Sequence, residues 1–286
     1  MTENFRDLPA SDSLYISVKE KNQQFYDDFK AYAEELTVLA RKSKNNKSGK
    51  ASSYVRYLIR FVVFYIENFN QDIGDLYSFS TYKELLKLTE LNDYHDYNKK
   101  MNRFPSASLR CYLSYLTYLN SDIEEQEDIE TNNKLNDSYV KETIDDVDIK
   151  NNTILKETLK KEKVLKNKSY RYPRNILESK KAKIKSNWKC EYNSNHETFI
   201  NIKDNRPYVD AHHLIPMAAQ DYFENTIDFS DNIVCLCPTC HSKIHHSIFS
   251  DRKKMIKKIF EKRKDKYPKY GIVITEENLF SFYGVL

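Results

Sequence analysis

Asp210-Ala211-His212-His213-Leu214-Ile215-Pro216 is followed by Asn232 and then by Cys237-Pro238-Thr239-Cys240-His241. Two thiols separated by two residues can supply half of a tetrahedral zinc site, and the remaining ligands must come from elsewhere in the chain. The upstream stretch from Trp188 to His196 offers Cys190 and His196, with five residues between them. Cys190, His196, Cys237 and Cys240 would then make a closed Cys3His site. A closed site is structural, because catalysis at a metal needs an open coordination position. The chemistry is left to His212, His213, Asn232, His241, His245 and His246.

This ordering resembles the HNH (ββα-metal) endonuclease family in its zinc-knuckle form, as found in HNH restriction endonucleases. The resemblance covers residues 170–283, with its specific core at 188–246. It implies an α+β, mostly helical chain: a helical N-terminal domain followed by a C-terminal ββα-metal nuclease domain with a structural zinc site. The two histidines would end a β-strand, Asn232 would lie in the intervening loop or second strand, and His241 would stand on the closing helix. By position, His213 is the general base that activates water, and His212 and His241 hold one divalent cation, Mg²⁺ or Mn²⁺. Asn232 fixes the orientation of the base or of the metal-site loop. His245, four residues after His241, shares its helix face and is a further ligand, whereas His246 points away. The C-x5-H spacing of Cys190 and His196 departs from the commoner C-x2-C.

The reaction implied is single-metal hydrolysis of DNA phosphodiesters, in restriction or phage defence. A neutral imidazole titrates near physiological pH, and a well-placed base contributes roughly 10²- to 10⁴-fold in rate. Imidazole ligands also admit zinc or nickel. Asp210, two residues before His212 on the expected strand, should accept a hydrogen bond from that ring. Two other readings stand beside this one: a nicking or homing nuclease of a mobile element, and a zinc-braced DNA-binding protein that does not cut. A deaminase needs H-x-E before P-C-x-x-C, and Leu214 follows the histidine pair here. A two-Cys, two-His finger is excluded because His241 directly follows Cys240. Cys235, in an apolar run, and Cys111, far upstream, read as packed core thiols.

The elements that position these residues follow from composition and periodicity. A chain of 286 residues with 40% hydrophobic content can form two modest domains. There is no leading apolar run of signal-peptide type and no apolar stretch long enough to span a membrane, so secretion by that route and membrane insertion are not expected. Five cysteines, three of them within Cys235 to Cys240, point to metal binding in a reducing compartment, and the expected location is the cytoplasm. Residues 122–148 carry 11 acidic and 2 basic side chains, while residues 149–286 carry 27 basic and 16 acidic ones. A basic excess on the segment with the histidine motif suits a polyanion. The organisation expected is a helical domain at 1–121, an acidic-to-basic linker at 122–165, flexible or partly helical over its acidic stretch, and the nuclease domain at 166–286. The acidic stretch could also shield the basic surface until DNA displaces it.

Val18, Phe25, Phe29, Tyr32, Leu36 and Leu39 recur at helical steps and predict one long helix. Further helices are expected at 54–69 and at 106–119, where Leu109, Tyr112, Leu113, Leu116 and Leu119 would face inward. A basic helix is expected at 250–266, with a final segment folding back on the nuclease domain. Lys47, Lys50, Arg206, Lys253 and Lys257 are the DNA-binding candidates. The partner is DNA, double-stranded on this reading, and a homodimer is left open.

Overall fold

The computed structural model describes residues 4–40, 49–121, 124–135, 158–166 and 169–285. It is mostly helical, with two small two-stranded sheets, consistent with an α+β class. The chain divides into two compact units: Met1–Leu119 with Phe280–Leu286, and Asn120–Leu279. No described helix is long and apolar enough to cross a membrane.

The first unit is helical. Helix α1 (Ser13–Lys21) is capped by Asp12, whose carboxylate accepts from the Leu14 and Tyr15 amides. The expected long helix is interrupted at Asn22, which leaves the helical region at φ −123°, so α2 (Gln23–Leu39) starts afresh. Asn22 donates from its side chain to the Val18 carbonyl, and such local bonding competes with helix continuation. Leu39 is exposed rather than buried. Helix α3 (Gly49–Phe69) buries most of its residues from Tyr57 to Tyr65, and it is followed by α4 (Phe79–Leu86), α5 (Tyr94–Lys100) and α6 (Phe104–Leu119). Leu109, Tyr112, Leu113 and Leu116 of α6 are buried, while Leu119 faces solvent. Aromatic side chains fill the core: the Phe25 ring meets Tyr112 and Tyr115 edge-on at 5.7 Å each. The buried Tyr112 hydroxyl donates to the Leu76 carbonyl at 2.6 Å, as a phenol sequestered from water requires.

The second unit carries every histidine and cysteine of the motif. Helix α7 (Glu124–Leu135) belongs to this unit, which corrects the reading of 122–165 as a linker. The acidic composition suggested a solvated segment, but Glu127, Asp128, Thr131 and Asn132 are buried. Asn132 accepts from the Ala211 amide at 3.0 Å, and Glu127 and Asp128 each stand 3.5 Å from the buried Arg174 guanidinium. Residues 136–157 of the expected linker lie outside the described residues. A short hairpin of β1 (Val164–Lys166) and β2 (Ser169–Arg171) leads to α8 (Ile176–Lys185), which is capped by the Asn175 side chain.

Strands β3 (Asp210–His213) and β4 (Ile233–Leu236) pair antiparallel, with Asp210 opposite Leu236 and His213 opposite Ile233. Helix α9 (Pro238–His246) follows at once, with Pro238 in its first turn, where its missing amide hydrogen costs nothing. Ala211, Ile233 and Cys235 pack with Ala182 of α8, Val209 and Trp188 in one apolar cluster. Burial pushes the Cys235 thiol up to about 12, so it stays a core thiol. Helix α10 (Phe249–Glu261) buries Met255, Ile256, Ile259 and Phe260, then gives way to a 3-10 turn, Lys264–Tyr270, earlier than expected. Arg263 breaks the helix there to donate to the Asp231 carbonyl at 2.6 Å and to pair with Glu191. The end of the chain differs from expectation as well. The last helix, α11 (Glu276–Phe282), straddles the boundary, and Phe280–Leu286 belong to the first unit. Gly284 there is left-handed at φ +66°, and a Cβ would stand 3.1 Å from Leu36.

Asp231 anchors this turn. Its carboxylate accepts from Lys269 at 2.6 Å and Tyr270 at 2.7 Å, with Lys185 and Lys266 at 3.3 and 3.4 Å. Burial alone would raise its pKa, but these donors hold it well below the usual carboxylate range. A depressed folded pKa contributes stability above the unfolded value near 3.9 that fades as pH falls through the folded value. Asp231→Asn is therefore expected to destabilise the unit at pH 7 by about 1.5–3 kcal/mol, the range for hydrogen bonds to a charged group. The gap between the urea midpoints of the two proteins should begin to narrow below about pH 4 and close only as pH falls through the depressed folded value. A gap that persists unchanged at pH 3 would show that charge is not what Asp231 contributes.

Candidate metal centres

The ligand atoms of Cys190, His196, Cys237 and Cys240 all lie within 4.8 Å of one another. His196 Nδ1 stands 3.3 Å from Cys240 Sγ and 3.6 Å from Cys237 Sγ. Cys237 is the N-cap residue just before α9 and Cys240 lies in its first turn, so the C-x2-C spacing becomes a clamp at a helix start. Cys190 follows α8, and its loop is tied to β4 by Glu191, which exchanges backbone and side-chain bonds with Cys235 at 2.8 and 2.7 Å. None of the three thiols forms a disulfide. A hydrogen bond from Cys240 draws the Cys190 thiol down to about 4, against the effect of burial. Three soft sulfur donors and one imidazole make a four-ligand set that fits a zinc ion.

A second group gathers Asp128, His212, His241 and His245, again with ligand atoms within 4.8 Å of one another. His212 lies on β3, His241 and His245 one turn apart on α9, and Asp128 on α7. Asp128 Oδ2 is 3.3 Å from His212 Nδ1 and 4.0 Å from His241 Nε2. Neither Asp128 Oδ2 nor His245 Nε2, both buried, has a hydrogen-bond partner. A buried polar atom left this way calls for an explanation, and an ion at the centre of the group supplies one. Burial lowers the pKa of His212, and burial together with the neighbouring imidazoles brings His245 down to about 2. Both rings are therefore neutral, the form in which imidazole binds a metal. The donors fit a divalent cation.

Asp210 faces the same side of β3 as His212, as expected, but its carboxylate lies 3.3 Å from His241 Nδ1. The partner differs from expectation because β3 runs beside the first turn of α9, which brings His241 nearer. This contact orients His241 so that its Nε2 turns toward the group.

Alternation along β3 turns His213 away from His212, toward Arg174 and Asp228, although Asp128 Oδ1 still lies 3.8 Å from its Nδ1. Arg174 Nη1 lies 2.9 Å from His213 Nδ1, and Asp228 Oδ1 lies 2.8 Å from Nε2. Arginine can only donate, so Nδ1 holds a lone pair and Nε2–H donates to Asp228. Burial and the Arg174 charge oppose protonation, yet Asp128 and Asp228 outweigh them and raise the His213 pKa. Arg174 is itself buried among Glu124 at 3.7 Å, Glu127 at 3.5 Å and Asp128 at 3.5 Å. One buried guanidinium among these carboxylates and Asp228 leaves negative charge in excess. Buried charge of one sign is costly, and a divalent cation beside Asp128 would offset it.

Asn232 is fully buried, and its amide makes four bonds: from the Ile215 amide and the Tyr267 hydroxyl, and to the Ile215 and Ile227 carbonyls. It braces the segment after β3 against the segment before β4, which holds the strand bearing both histidines. His246 is exposed at the end of α9.

Asp128, Arg174 and Asp228 were not singled out from sequence. Asp228, four residues before Asn232, was within reach of a motif reading; Asp128 was hidden by its acidic surroundings, and Arg174 carried no local signal. Of the DNA-binding candidates, Lys47 lies outside the described residues and Lys50 opens α3 in the first unit. Lys253 and Lys257 are exposed on α10, where Lys257 pairs with Glu276 at 3.0 Å. Arg206 stacks its guanidinium 3.8 Å from the Trp188 ring centroid.

No family model matches the chain, and no solved structure matches it. The type IV methyl-directed restriction enzyme EcoKMcrA of Escherichia coli (strain K12) is 39% identical over 46 residues, 16% of this chain. The likeness spans 15% of that enzyme's length, so it is a likeness of a short stretch and not of the whole protein.

Proposed function

We propose that the second unit is an HNH-type, metal-dependent DNA endonuclease. The observation that carries this reading is the division of labour along β3, where His212 joins a candidate metal group and the adjacent His213 is held by Asp228. Arg174 donates to the His213 Nδ1 lone pair in this structure, and the proposed base forms when that guanidinium turns to the substrate phosphate: Nδ1 then takes the proton of the attacking water, while Asp228 fixes the ring tautomer and favours its protonated form, as the acid of a Ser-His-Asp triad does. His212, His241 and His245 hold a divalent cation, which when bound polarises the scissile phosphate and steadies charge on the leaving oxygen. Three imidazoles with one carboxylate suit Mn²⁺ better than Mg²⁺, which prefers oxygen donors and retained waters. Asn232 and Asp210 keep strand and ring in register. The Cys3His centre braces the start of α9, on which two of the histidines stand.

A role in restriction is supported by the short likeness to EcoKMcrA. The four-donor second group favours one alternative, a zinc-braced DNA binder that does not cut, since a fully ligated metal has no open position. Cleavage of supercoiled plasmid, unmodified and cytosine-methylated, separates the two. Nicking or linearisation with Mn²⁺ or Mg²⁺ that EDTA abolishes is the expected result, and salt-sensitive binding without cleavage of either DNA would overturn it.

A further inference from the structure

We infer that Asp128 is a fourth ligand of the divalent cation and that its carboxylate holds the place of a DNA phosphate oxygen, so that α7 and DNA exclude one another at the metal. The inference rests on the proposed role of the histidine group and adds to it a ligand from a helix far upstream. Asp128 is 1% exposed, and its Oδ2 lies beside two imidazoles with no donor of its own. In a catalytic site of three protein ligands, the fourth position belongs to water or substrate. Here a carboxylate oxygen fills it.

The neighbouring residues of α7 extend the resemblance to a phosphate strand. Glu124, one turn before Asp128, accepts from the Met217 amide at 2.5 Å and the Ala218 amide at 3.3 Å. Glu124, Glu127 and Asp128 together surround Arg174, the guanidinium that reaches His213. Backbone amides, an arginine and a metal cation are the groups that bind phosphodiesters. The acidic helix engages the first two and places Asp128 at the candidate site for the third.

Full-length protein with its Cys3His centre zinc-filled is titrated with Co²⁺ as the probe, and the visible absorption of the bound ion is followed. Wild type is expected to show a four-coordinate spectrum, and Asp128→Asn to bind Co²⁺ on the order of 10- to 100-fold more weakly with a changed one. Asp128→Cys, with zinc content and circular dichroism checked against wild type, should restore binding and add a thiolate-to-cobalt charge-transfer band. Adding duplex DNA should shift the wild-type spectrum, and the Glu124→Gln, Glu127→Gln, Asp128→Asn triple variant should bind that duplex at least about tenfold more tightly, as expected when like charge is removed from a phosphate site. An unchanged Co²⁺ affinity and spectrum in Asp128→Asn, or no charge-transfer band in folded Asp128→Cys, would overturn the ligand assignment. A wild-type spectrum indifferent to bound DNA, with no tightening in the triple variant, would overturn the exclusion. These readouts need no cleavage, so a nuclease-negative result leaves them standing, while absence of any second Co²⁺ site would remove this inference and the proposed function together.

Discussion

Cys237→Ser is expected to leave the second unit without its zinc and largely unfolded at physiological temperature, while the first unit keeps its helices. Zinc held by cysteines and histidine contributes apparent binding free energies of about 10–16 kcal/mol in small zinc domains, comparable to the whole stability of a domain, about 5–15 kcal/mol. The sheet that bears the histidines has two strands of four residues, and the loop carrying Cys190 and His196 reaches α9 through these ligands. The measurement is direct because Trp188 is the only tryptophan and packs on the cluster between α8 and the strands. Its fluorescence reports the second unit alone. Zinc per chain and the Trp188 melt should fall together in the variant; one zinc retained with an unshifted melt would mean that Cys237 is a packed thiol.

His213→Ala should behave in the opposite way, folded and zinc-loaded but deficient in cleavage. Loss of a positioned general base costs roughly 10²- to 10⁴-fold in rate. The substitution also leaves Asp228 and Arg174 short of a buried partner, which costs about 1–3 kcal/mol. A modest fall in melting temperature is therefore part of the expectation, and His213→Gln, which restores polar atoms at the site, should recover stability without recovering rate. Single-turnover cleavage at saturating Mn²⁺ decides the matter, and a rate undiminished in the folded variant would remove His213 from the chemistry.

How much of this was legible in the sequence depends on the range of the interaction. Cys237, Cys240, His241 and His245 declare themselves because helical spacing fixes their relative positions locally, and His212 and His213 because a strand sends neighbours to opposite faces. Cys190 and His196 were found by counting ligands, which works only because zinc takes four. The break at Asn22 escaped because apolar periodicity runs across it, and only a side-chain bond to Val18 marks the interruption. The burial of helix α7 escaped for a deeper reason. Acidic composition argues for solvation, and what reverses it is a single arginine, Arg174, placed by the fold rather than by sequence distance. Asp210 was placed on the correct face but given the wrong partner, since the choice between His212 and His241 is set by how α9 lies against β3.

Helix α9 is nine residues long and bears ligands of both groups: Cys237 and Cys240 bracket its first turn, and His241 and His245 occupy the next two. The two groups are thus mounted on one short rod. Filling the sulfur-rich group restricts the rod, and the imidazoles then meet a second ion with less ordering still to be done. Metal uptake should accordingly be sequential, and an affinity measured for the histidine group on zinc-free protein would report mainly the cost of assembling the helix.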